Sequence, residues 1–163
     1  MAWGLVLLAL PAIYQEPQTA LPAAIVSLIQ GAESIELFAL DAYTRDNDPE
    51  HFDKHETSAT KFHGQSIYGS HVFSDVASIA RIQKAIFAST PADIAPAACF
   101  WPRHGLRFLC GPKRLDLVIC FQCRQMEIYT STGEEAATVM STGESTLNRL
   151  LAEQGISNPS KAN

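Results

Sequence analysis

Hydrophobic and polar positions follow two different periods along this chain, and the places where the period changes outline its elements. Pro22, the apolar stretch Ala23 to Gln30 and then Gly31 predict a short helix with proline at its start and glycine just past its end. Ser34 to Leu40 alternates as a mostly buried strand does. The acidic, aperiodic stretch 41–61, with Asn47-Asp48-Pro49 inside it, predicts a long loop. A second strand follows over Gln65 to Val72, broken at Gly69. Ser74 is then placed to cap a helix that runs to about Ser89, with Asp75 in its first turn and Val76, Ile79, Ala80, Ile82 and Ile86 as its apolar stripe. Thr90-Pro91 ends it.

Four strand-like runs come next, at Ala97–Trp101, Gly105–Cys110, Leu115–Cys123 and Gln125–Thr130. Their connections are too short for parallel crossovers, so they predict an antiparallel meander. Ser141-Thr142-Gly143-Glu144 has capping-box spacing, and Leu147, Leu150 and Leu151 form the stripe of a last helix that ends at Gly155, with Ile156 as the apolar contact beyond it. The expectation is an α+β fold in which the helices Ser74–Ser89 and Ser141–Gln154 cover one face of an antiparallel sheet.

Side-chain parity sharpens this picture. Leu115, Leu117, Ile119, Phe121 and Cys123 share one face and must be the core side, leaving Arg114, Asp116, Val118, Cys120 and Gln122 on the other. Matching core face to core face pairs Cys110 with Leu115 across a four-residue loop. That register sets Arg107 opposite Val118 and diagonal to Asp116, where an exposed ion pair is worth about 0.2–1 kcal/mol. The apolar parity flips after Cys123, which calls for a bulge or a tight turn near Cys123-Arg124.

Composition limits what such a domain does. The 163 residues suit one domain, and the formal net charge of −5 argues against general nucleic-acid binding. The apolar run from Ala2 to Ile13 is too short to span a bilayer but fits the centre of an export signal, although no Lys or Arg precedes it. Residues 1–20 therefore read as a signal peptide or an apolar N-terminal segment, 21–156 as the domain, and 157–163 as a frayed tail. Export to the periplasm or outside the cell is expected, with no membrane span in the mature chain; a cytoplasmic protein with a buried N-terminal segment is the alternative. Charge is uneven. Residues 98–124 carry Arg103, Arg107, Lys113, Arg114 and Arg124 against Asp116 alone, a local excess of four cations that could attract a small anion or an acidic partner.

Four cysteines invite three readings. Cys99, His104, Cys120 and Cys123 have the number and types of ligand that a structural zinc site needs. Cys99 bridged to Cys120 or to Cys123 is the disulfide alternative, and reduced cysteines packed in or beside the core are the third. Cys110, on the core face, is the least suited to bridging. His51, His55 and His63 lie in or beside the acidic loop without a helical pattern to hold a metal. No phosphate loop, dinucleotide fingerprint or nucleophile elbow is present, so no cofactor other than zinc is suggested.

The segments Cys99-Phe100-Trp101-Pro102-Arg103-His104-Gly105-Leu106-Arg107 and Asp116-Leu117-Val118-Ile119-Cys120-Phe121-Gln122-Cys123 resemble a pattern, C-F-x-P-R-H-x-[IL]-R and D-x-V-I-C-F-x-C, found in a group of bacterial proteins without an assigned activity. Ile35–Asp41 and Phe62-His63-Gly64 are similar to earlier segments of that group. Cys110 lies outside the pattern, and Trp101 stands where the group carries a polar residue. The resemblance implies a small domain, often behind an export or lipoprotein signal. The expected function is a non-enzymatic exported domain that binds a protein partner or small anion through a sheet face bearing Arg103, His104, Arg107 and Asp116. A zinc-stabilised or thiol-dependent enzyme using Cys99, His104, Cys120 and Cys123 is the alternative.

Overall fold

The computed structural model describes residues 19–42, 61–90, 95 and 97–157. The expected export segment up to residue 18, positions 43–60 of the expected acidic loop and the end of the tail lie outside the described residues, while Lys61, expected in that loop, begins a strand. Thr19 and Ala20 already belong to the folded part, since Thr19 Oγ1 and the Ala20 N–H both donate to the Thr90 carbonyl.

The elements in chain order are α1 (Ala23–Gln30), β1 (Ser34–Leu40), β2 (Lys61–Phe62), β3 (Gln65–Phe73), α2 (Val76–Ser89), β4 (His104–Cys110), β5 (Lys113–Cys120), β6 (Gln125–Thr130), β7 (Gly133–Thr138), a 3-10 turn at Ser141–Gly143, and α3 (Glu144–Glu153). The strands form one antiparallel sheet in the order β2-β3-β1-β4-β5-β6-β7. The expected α+β class, with helices packed on one sheet face, is the observed architecture.

Ile25 and Ile29 of α1, Ile79, Ile82, Ala85 and Ile86 of α2, and Leu147, Leu150 and Leu151 of α3 are buried against the inner side chains of the sheet, among them Ile35, Leu37, Leu106, Phe108, Leu115, Leu117 and Ile119. Parity assigned the core face of β5 correctly. Two members of the expected α2 stripe face solvent, Val76 and Ala80. Asp75 rather than Ser74 is the N-cap, its carboxylate accepting from the Ser78 N–H at 2.8 Å. No capping box forms at α3; the 3-10 turn leads into the helix and the Gly143 N–H donates to Ser89 Oγ of α2. Past α3, Gly155 takes φ +71° and Ile156 packs on the core, as the sequence suggested.

The β4–β5 register differs from expectation by two residues. Cys110 pairs with Lys113, so the loop is only Gly111-Pro112, and Arg107 lies directly opposite Asp116. Glycine at the first central position, with φ +55°, suits the tight II′ hairpin. A shift of two preserves parity, which is why the faces were right while the partners were not. The parity change after Cys123 comes from a turn, Phe121–Arg124, with Arg124 at φ +55°. Ala97–Trp101 is not a strand; the segment crosses the end of the sheet, with the Ala97 N–H donating to the Cys123 carbonyl and Arg103 bonded through its backbone to both Ile119 and Leu40.

The sheet's second face is also covered. Residues His63 (φ +48°) and Gly64 (φ +81°) turn the chain between β2 and β3, and this hairpin folds over the sheet so that the Phe62 ring stacks on Phe38 at 4.3 Å between centroids. Phe38, Leu40, Phe62 and Val118 form a small second core, with Ile67, Phe100 and Tyr129 against it. Gly105 makes the closure fit: a Cβ there would stand 2.7 Å from two carbons of the Phe62 ring. Gly105→Ala is therefore expected to lift the hairpin and cost about 1–3 kcal/mol in urea unfolding. Unchanged stability would show that the ring does not rest on that strand.

Candidate functional site

The second face carries the densest polar constellation among the described residues. Its centre is Asp116 on β5, 1% exposed. Arg107, across the ladder on β4, donates Nε to Oδ1 and Nη2 to Oδ2, both at 3.0 Å. His63 reaches down from the β2–β3 turn and donates Nε2–H to Oδ2 at 2.9 Å. Its ring also stacks on Tyr129 of β6, with centroids 3.8 Å apart. The more exposed Arg114 stands 3.6 Å from the same carboxylate. Burial alone would raise the Asp116 pKa, but the bonds from Arg107 and His63 and the nearby positive charges outweigh it, so the group is held below its ordinary value.

Arg107 is fixed from above as well. Its guanidinium lies 5.2 Å from the Phe62 ring centre and 5.8 Å from that of Phe38. Beside it opens a recess of about 330 Å³ lined by Glu36, Phe38, Lys61, Phe62, Ile67, Gly69, Ser70 and Arg107. Glu36 accepts from Ser70 Oγ at 2.8 Å on one wall. The floor is apolar, and the exposed Lys61 and the outer edge of Arg107 provide the cationic rim.

His104 belongs to the other face. It pairs with Ile119 and so projects toward the helices, opposite to the neighbouring Cys120. Its Nε2 lies 2.9 Å from Asn148 Oδ1 of α3, and since an amide oxygen only accepts, the hydrogen is on that nitrogen. Burial pushes the His104 pKa down to about 4, the Asn148 bond opposing this and the Arg103 charge reinforcing it.

The cysteines gather without His104. Cys120 and Cys123 stand at disulfide-bonding distance with Cα atoms 5.2 Å apart, and Cys99 Sγ lies 2.9 Å from Cys123 Sγ. Cys110 is at the opposite end of β4, beside Gly31. The sequence thus grouped residues that the structure divides among three places: Arg107 with Asp116, His104 with Asn148, and Cys99 with Cys120 and Cys123. Arg103 lines none of the recess. Among the described residues no group of three or more His, Cys, Asp or Glu side chains is arranged to hold a metal ion.

His63, expected beside the acidic loop with no role, is the functional residue that the sequence alone does not single out. The signal was present: a His-Gly pair between strand-like Lys61-Phe62 and Gln65-Ser66 is suited to a two-residue turn with positive φ at both positions. The chain matches no known family model, no characterised protein and no solved structure.

Two outcomes follow from these environments. Asp116→Ala is expected to cost about 2–4 kcal/mol, since it strands two donors that the carboxylate satisfies, although both are partly hydrated. A loss under about 1 kcal/mol in denaturant unfolding would return the pair to the weak surface class. For His104 the folded pKa lies below the unfolded value of 6.5, so the unfolded chain binds the extra proton between pH 6.5 and about 4. Its contribution is complete above pH 6.5 and fades as pH falls toward 4, by about 3 kcal/mol in all. His104→Gln should flatten that part of the stability profile; an unaltered profile would contradict it.

Proposed function

We propose that this domain is a binding module whose second sheet face takes a small anion with a compact apolar body. The observation that carries the reading is the immobilised edge of Arg107. Asp116 and two phenyl rings fix its guanidinium, which bonds Asp116 through Nε and Nη2 and also lines the recess. A donor already held in place binds an oxyanion without the ordering cost that a mobile arginine would add. The apolar floor of Phe38, Phe62 and Ile67 suits a ring or short hydrocarbon, while Lys61 adds a second positive charge at the mouth. Glu36, engaged by Ser70, disfavours a ligand with several negative charges. A carboxylate on a small apolar body fits these constraints better than a bare polyanion.

We place this module in an oxidising compartment outside the cytoplasm, a reading supported by the cysteine pair at bonding distance and by the signal-like N-terminal stretch. No helix among the described residues is long and apolar enough to cross a membrane.

Backbone NMR titration with benzoate tests the site. Shifts should concentrate on Phe38, Lys61, Ser70 and Arg107, with binding near ~1 mM as befits a fragment, and Lys61→Glu should weaken it at least about fivefold. Absence of localised shifts up to about 20 mM, far above that affinity, would remove the proposal.

A further inference from the structure

The three clustered sulfurs lie outside the recess and do chemistry of another kind. Cys120 ends β5 and Cys123 lies within the β5–β6 turn; both are almost wholly buried, at 1% and 0% exposure, whereas Cys99 is only half-buried. A reagent from solution therefore meets Cys99 first. The Cys99 thiol is aimed at Cys123 Sγ, 2.9 Å away, on the side of the crossing segment that the Ala97 N–H ties to the Cys123 carbonyl and that Gln125 ties through its amide to the Ala97 carbonyl. Two backbone donors already serve the sulfurs. The Cys123 N–H points at Cys120 Sγ at 3.1 Å, and the Trp101 N–H at Cys123 Sγ at 3.3 Å.

We propose that Cys99 is the exchange thiol of a three-sulfur centre, carrying thiol–disulfide exchange between a small solution thiol of the glutathione class and the buried Cys120–Cys123 disulfide. In the internal step Cys99 loses its proton and its thiolate attacks Cys123 Sγ. The Cys99–Cys123 bond forms, the Cys120–Cys123 bond breaks, and Cys120 leaves as a thiolate that takes up a proton. The number of disulfides is unchanged and no outside oxidant is needed. The N–H donor on Cys120 Sγ stabilises the negative charge that develops there, and a better-stabilised leaving thiolate leaves faster. Reduction then proceeds from the accessible end. A solution thiol attacks Cys99 Sγ, releases Cys123 as a thiol and leaves a mixed disulfide on Cys99; a second solution thiol frees Cys99 and departs as the oxidised disulfide. Three protein thiols remain, and two molecules of small thiol have become one disulfide.

This arrangement gives CxxC chemistry without the helix N-terminus that ordinarily lowers the pKa of such a thiol. The third cysteine replaces it by supplying access, and the turn amide supplies charge stabilisation. Cys110, remote at the other end of β4, has no part in the relay and serves as a control.

The test uses the full chain, oxidised and checked for folding by circular dichroism, with disulfides mapped by differential alkylation and peptide mass. Reduced glutathione should reduce the wild-type centre at least about ten times faster than that of Cys99→Ser, since the variant leaves only buried sulfurs to attack, while Cys110→Ser should stay within twofold of wild type. Independently, Cys120→Ser equilibrated with oxidised glutathione should accumulate the Cys99–Cys123 disulfide. Equal reduction rates in wild type and Cys99→Ser would overturn the proposal. So would free Cys99 and Cys123 thiols in oxidised Cys120→Ser, or a wild-type protein isolated with one equivalent of zinc and no disulfide.

Discussion

A carboxylate set in the middle of a sheet has to be met by donors, because the strands on either side exclude water and the ladder itself uses up the backbone groups. Asp116 is in that position, and the second face of this protein is arranged around it. Arg107 comes from the adjacent strand by simple cross-strand pairing. His63 comes from a hairpin tip more than fifty residues earlier in the chain, and that contact carries the β2–β3 turn across the sheet to β6. The same reach brings Phe62 onto Phe38 and Gly105, and the recess beside Arg107 exists because that ring stands there. One ionised group thus links the register of β4 and β5, the closing of the second core and the placement of the candidate binding site.

The two faces of β5 show how differently a strand can be buried. Leu115, Leu117 and Ile119 join the large core under the helices, a nonspecific requirement met by any apolar side chain of suitable volume. Asp116, Val118 and Cys120 on the other side are equally dry, but two of the three are groups with specific chemistry. An ion pair is a costly way of filling a small core when apolar residues would serve, and a sulfur cluster brings a reactivity that packing does not need. Their presence together on one strand face, a few residues apart, is the reason to look for function there rather than beneath the helices.

What the sequence revealed follows the physics of each signal. Periodicity and parity are properties of a single segment, so α1, β1, α2, the core face of β5 and the last helix could be read directly. Register and turn type depend on a few atoms, and the Gly111-Pro112 hairpin moved the Arg107 partner from Val118 to Asp116 without disturbing parity. β7 escaped notice because Gly133-Glu134-Glu135-Ala136-Ala137 is poor in β-branched and aromatic residues; it is an edge strand whose glutamates discourage further pairing. The grouping of His104 with the cysteines failed through strand alternation, since nearness in sequence says nothing of which side of the sheet a residue takes. His63 could be seen only by knowing where a hairpin folds, which is tertiary information.

The contact between His63 and Asp116 is the point at which this account is most exposed. A double-mutant cycle with His63→Phe, which keeps a ring to stack on Tyr129, and Asp116→Asn, measured by urea unfolding near pH 7, isolates that contact from burial and from the Arg107 pair. A coupling free energy of at least about 1 kcal/mol is predicted for a bond to a buried carboxylate. Effects that add to within about 0.3 kcal/mol, the usual behaviour of independent sites, would mean that the hairpin tip is not held to the sheet by this carboxylate.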